Sequence, residues 1–134
     1  MQFEFAFICD YAEEAGGKVH AVGIGWDTIF APALPATHPM LAFVARLRGT
    51  AAERGTKDVS ISLLDADGSD VIPPMNQSLL FDVKPMTLGG NLNLVVQLAG
   101  LQFKKYGPYA IHLVVQGNQM ASVGFSVTKP PTTG

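Results

Sequence analysis

The densest set of chemistry-bearing side chains is Asp65-Ala66-Asp67-Gly68-Ser69-Asp70. Three carboxylates this close supply the hard oxygen ligands that calcium takes. An EF-hand loop, however, needs a ligand at its fifth position, glycine at the sixth and a bidentate glutamate at the twelfth. Here the glycine comes fourth, the fifth residue is Ser69 and the twelfth is Asn76. The competing reading is a turn after a strand ending at Leu64, with aspartate side chains bonding nearby backbone. The turn is expected, with Asp65, Asp67 and Asp70 as the metal candidates to check.

Nucleophile and base chemistry would have to come from Cys9, His20, His38 and His112. Cys9 falls on the same strand face as Phe3, Phe5 and Phe7, where a thiol is protonated and inert. His20 and His112 lie opposite apolar stripes and face solvent, and His38 is held extended by Pro39. No spacing brings two of these groups together, so no catalytic residue is assigned. Asp10, Asp27 and His38 sit near strand ends and could meet as a metal site at one end of the fold. The expectation is neither a metal nor a cofactor.

Trp26 follows Gly23-Ile24-Gly25. It is either a platform for a sugar ring or a partner's side chain, or a core residue near a sheet edge. The long loop Thr28–Pro39 carries three prolines and the large apolar side chains Ile29, Phe30 and Leu34. Long ordered loops are often functional. The loop either caps one end of the core or forms an interaction surface from Trp26, Ile29, Phe30, Leu34 and His38. Tyr106-Gly107-Pro108-Tyr109 predicts a tyrosine corner, with the Tyr109 hydroxyl bonded to an upstream carbonyl.

These groups need a scaffold, and composition bounds it. The chain has 134 residues, 48% hydrophobic and 15% charged, with a formal net charge of -2. That suits one folded domain and excludes overall disorder. The absence of a basic excess argues against a nucleic-acid partner. One cysteine excludes an internal disulfide framework and a zinc ribbon. No run is long and apolar enough for a membrane span, and Glu4 and Asp10 break up any signal-peptide core. A cytoplasmic protein is expected.

Period-two alternation dominates the chain. It predicts eight strands, around Phe3–Cys9, Lys18–Gly25, Pro39–Leu47, Val59–Leu63, Leu79–Val83, Asn91–Phe103, Tyr109–Gln116 and Ala121–Val127. Gly117-Asn118 predicts a tight hairpin between the last two. Asp10–Ala15 and Ala51–Thr56 suit at most one helical turn each. The expected fold is an all-β, single-domain antiparallel β-sandwich, Ig-like or jelly-roll-like, over residues 1–128, with a flexible tail at 129–134, and a closed small barrel is the alternative.

Several stretches carry a resemblance. They are Phe5-Ala6-Phe7-Ile8-Cys9-Asp10-Tyr11-Ala12-Glu13, Gly16-Gly17-Lys18, Gly25-Trp26-Asp27, His38-Pro39-Met40, Leu64-Asp65-Ala66-Asp67-Gly68 and Tyr106-Gly107-Pro108-Tyr109. Together they resemble DUF6941, a family of small bacterial proteins known as a domain of unknown function. The resemblance implies a one-domain all-β sandwich and transfers no functional residue. Low charge and a mean hydropathy of +0.25 favour a non-catalytic interaction or structural module, bound to a protein partner or to itself. The alternative is a module for a small ligand, carbohydrate or calcium.

Overall fold

The computed structural model describes residues 1–84 and 89–131. Its strands are β1 (Gln2–Cys9), β2 (Tyr11–Ala15), β3 (Lys18–Val22), β4 (Thr28–Phe30), β5 (Ala36–Gly49), β6 (Gly55–Leu64), β7 (Met75–Phe81), β8 (Gly90–Phe103), β9 (Gly107–Val115) and β10 (Asn118–Thr128). One 3-10 turn, Ala51–Glu53, sits between β5 and β6. The fold is nearly all-β, as the alternation requires, and includes a curled, half-barrel sheet.

Strand order is β1-β5-β8 in one sheet and β4-β10-β9-β6-β7 in a second, with β2-β3 as a separate hairpin. Pairing is antiparallel except between β4 and β10, where Thr28–Phe30 run parallel to Ser126–Thr128. That corrects the wholly antiparallel expectation.

The main core draws Leu41, Phe43, Ala45 and Leu47 from β5, Leu94 and Leu98 from β8, and Ile61, Leu63, Ile111, Leu113, Phe125 and Val127 from the second sheet. The alternation of β6 is the simplest case. Val59, Ile61 and Leu63 are buried, while Ser60, Ser62 and Leu64 are half-exposed. Phe103, Tyr109 and Phe125 form an aromatic triad with centroid separations of 4.8, 5.8 and 5.7 Å. Edge-to-face and offset contacts of this kind add to plain burial.

A second, smaller cluster lies on the opposite face of the β1-β5-β8 sheet. Cys9, Ala12, Ala42 and Val44 are buried there, with Phe5, Phe7, Val19, Ala21 and Val95 packed around them. The β2-β3 hairpin supplies Ala12, Val19 and Ala21, so it covers this face. Residues Leu41 to Ala45 are consequently all fully buried.

The differences from expectation have local causes. Ten strands are present among the described residues, not eight. Asp10–Ala15 forms no helical turn. Tyr11–Ala15 is extended, because Ala12 has a buried seat and the segment pairs with β3. Thr28–Pro39 is not one irregular loop, since Thr28–Phe30 joins β10 and β5 already begins at Ala36. Phe3 is not in the interior and stays 49% exposed.

A register shift between Phe3 and Phe5 moves β1 by one residue. Phe3 pairs with Leu47, whereas Phe5 pairs with Arg46. A bulge of this kind reverses the faces that follow it, so Phe5, Phe7 and Cys9 face the hairpin while Ile8 faces the main core. The tight hairpin between β9 and β10 turns at Gln116-Gly117, both with positive φ, one residue earlier than expected. Residues 132–134 of the expected tail lie outside the described residues.

Candidate functional site

The acidic segment is a closed turn. Asp65 Oδ1 accepts the backbone N–H of Asp67 at 2.9 Å and of Ser69 at 3.0 Å. The Lys105 ammonium lies 2.7 Å from Asp67 Oδ2 and 3.5 Å from Asp65 Oδ2. The Ser69 backbone donor, aided by Asp67 and Lys105, holds the Asp65 carboxyl below its usual range. Both Asp65 oxygens and Asp67 Oδ2 are thus engaged by the turn and by a lysine. Among the described residues, no group of three His, Cys, Asp or Glu side chains is placed to hold a metal ion. This covers both Asp65, Asp67 and Asp70 and the Asp10, Asp27 and His38 set.

Cys9 is fully buried, and its Sγ lies 3.4 Å from the Tyr11 carbonyl and 3.8 Å from that of Ala42. Burial raises its pKa, which keeps the thiol protonated. The histidines are dispersed. His20 is exposed on β3, His112 lies 3.1 Å from Gln119 Oε1, and His38 packs against Trp26.

Trp26 and His38 do meet, with ring centroids 5.7 Å apart. Both are half-buried, and Trp26 packs against the main core. Ile29 is only 9% exposed and belongs to that core, which removes it from the expected interaction surface. Leu34 is half-buried, and Phe30 is 57% exposed. The expected surface is therefore split. Ile29 and Ala31 cap the core, and the Tyr106 hydroxyl donates to the Ala31 carbonyl at 2.8 Å, tying the segment down. The tyrosine corner is formed, with the Tyr109 hydroxyl donating to the Lys105 carbonyl at 2.7 Å. Burial raises the Tyr109 pKa.

Two features were not read from the sequence. A shallow groove of about 480 Å³ crosses the outer face of the second sheet between Asp58, Ser60, Asn76, Ser78 and Val114. The other is the free edge of β8. Among the described residues this strand pairs only with β5, yet it is 14 residues long and uncharged throughout. Other edges are shorter or charged. β4 has three residues, β7 has seven, and β1 carries Glu4, which bonds Arg46 at 2.9 Å. Natural sheets usually blunt a long edge with charge or proline. The signal was present in the sequence as an uncharged run from Gly89 to Phe103, but a run cannot reveal which side of a strand lacks a neighbour.

No helix among the described residues is long and apolar enough to cross a membrane. No curated protein matches the sequence. Among solved structures, the chain is similar to part of a β-glucosidase from Listeria innocua in complex with glucose, at 8% identity and a TM-score of 0.51, covering 98% of this chain and 16% of that one. The same enzyme in complex with isofagomine gives 7% identity and a TM-score of 0.51, covering 98% and 17%. A Pseudomonas fluorescens alkylpurine DNA glycosylase bound to DNA gives 12% identity and a TM-score of 0.48, covering 75% and 27%. At such identity, and over so small a part of the glucosidase, the likeness is one of fold alone. The model of a family of unknown function, DUF6941, matches residues 4–128. The chain belongs to the DUF6941 family.

Proposed function

We propose that this chain is a non-catalytic β-sandwich interaction module that receives a strand of another protein chain at the edge of β8. The observation that carries the reading is the long, uncharged, one-sided strand. Unpaired backbone N–H and C=O groups there present a ready template, and strand addition supplies main-chain hydrogen bonds without special side chains. The exposed Phe30 and Leu80 add apolar surface elsewhere. A carbohydrate or calcium module has less support. Trp26 leans on the core and on His38, and the Asp65 turn is already bonded internally.

Site-specific photocrosslinking in cells tests the proposal. A photoreactive residue at exposed Gln102 on β8 is expected to capture a protein chain, while one at exposed Ser122 on β10 captures little. Equal capture at both positions, or capture at Ser122 alone, overturns it. So does a calcium-dependent rise in melting temperature abolished by Asp65→Asn.

A further inference from the structure

The residue pattern along β8 identifies a partner for that edge. Leu92-Asn93-Leu94-Val95-Val96-Gln97-Leu98 reads alike in both directions about Val95: leucine against leucine, amide against amide, and leucine against valine. We infer that the edge of β8 pairs with the same edge of a second copy of this chain, antiparallel, about a two-fold axis at Val95. This rests on the proposed role of that edge and names its occupant.

The faces agree with this arrangement. Leu92, Leu94, Val96 and Leu98 belong to or pack against the main core, so the apolar pairs of the two copies continue one buried layer. Asn93, Val95 and Gln97 lie on the opposite face. Antiparallel pairing centred on Val95 sets Asn93 of one copy opposite Gln97 of the other, and an isologous two-fold repeats the pair. No like charges meet, because the strand has none.

Asn93 and Gln97 lie on the face that the β2-β3 hairpin covers. The Asn93 side-chain oxygen is buried by the chain itself and has no hydrogen-bond partner among the described residues. Such a group is costly to leave unsatisfied. Gln97 uses its Nε2 to donate to the Ala12 carbonyl at 2.8 Å, and that amide nitrogen carries a second hydrogen. The pairing stops short of Gly100, whose φ of +64° ends the regular alternation of β8.

The test uses the full chain in light scattering and sedimentation over a range of concentrations. The unmodified protein is expected to have dimer mass. Asn91 and Ala99 are both exposed, and they face each other across the proposed axis but not within one chain. Asn91→Glu with Ala99→Glu sets like charges opposite each other twice and is expected to weaken association about tenfold or more. Asn91→Glu with Ala99→Lys sets opposite charges there and is expected to keep the dimer. The circular dichroism of both variants should match the parent.

A parent that stays monomeric at all concentrations overturns the second copy as occupant. If Gln102 still crosslinks another protein in cells, the edge proposal survives that failure. A dimer insensitive to both double variants also overturns the inference, because it must form elsewhere.

Discussion

The two sheets treat their outer faces differently. Behind the β1-β5-β8 sheet, the β2-β3 hairpin buries Ala42 and Val44 against Cys9 and Ala12. Behind the second sheet, Ser60, Ser62, His112, Ser122 and Ser126 meet solvent to varying degrees, and a shallow groove crosses part of that face. The sequence marks the contrast. β5 is apolar at five successive positions from Leu41 to Ala45, whereas β6 alternates. A strand covered on both faces loses its period-two signature, and one covered on a single face keeps it. A break in alternation is therefore as informative as alternation itself.

The sharpest way to break this contrast is a charge in the seam. Ala12→Asp places an uncompensated carboxylate at a fully buried position, and a loss of about 3–5 kcal/mol is expected in chemical denaturation. The same variant should open Cys9 to a thiol reagent that leaves the parent untouched. A loss below about 1 kcal/mol would mean that the hairpin is not seated there.

Val44→Ala tests the same seam more gently, through a cavity. It should cost about 2 kcal/mol in the same measurement.

Tyr109→Phe probes the interior that both sheets share. Removing its hydroxyl leaves the Lys105 carbonyl without this donor and should cost about 1 kcal/mol. Because the folded state raises the Tyr109 pKa, the unfolded chain ionises first. The corresponding stability is whole below a pH of about 10 and declines as pH rises through the folded value. Stability curves at alkaline pH should lose that component in the phenylalanine variant.

The smallest effect belongs to the open face. Ser122→Asp should change stability by no more than about 0.5 kcal/mol. A loss comparable to that of Ala12→Asp would erase the difference between the two faces.

Much of this was legible from residue types. The family was legible as a resemblance of sequence stretches, while the β-rich fold, the strands around β6 and β9, the closed Asp65 turn and the Tyr109 corner follow from local chemistry. Legibility failed where the alternation changes phase. Glu4 adds one residue to β1, and the sequence alone does not show that Arg46 and Leu47 will take different neighbours. At Pro39-Met40 and Ala99-Gly100, two exposed residues occur in succession on paired strands, so Leu101 and Phe103 return to the core on the other parity. Glycine and proline mark that site, but they do not say which way the faces turn.

Long-range partners were equally hidden. Lys105 is remote from Asp65 in sequence, and nothing local joins Trp26 to His38. The β2 and β4 strands were missed because each is short and draws its stability from pieces of chain far away. The β8 edge depends on what lies beside a strand, which periodicity does not encode.

The parallel joint between β4 and β10 has a consequence for how the molecule forms. Thr28–Phe30 meet Ser126–Thr128 across most of the described chain. Ordering that much polymer before the contact rewards it is slow, since loop-closure entropy is lost first. The local β9-β10 hairpin can zip early, but its outermost neighbour arrives only when the chain's two far regions find each other. Refolding should therefore be slow for a protein of this length, with the joint among the last contacts made.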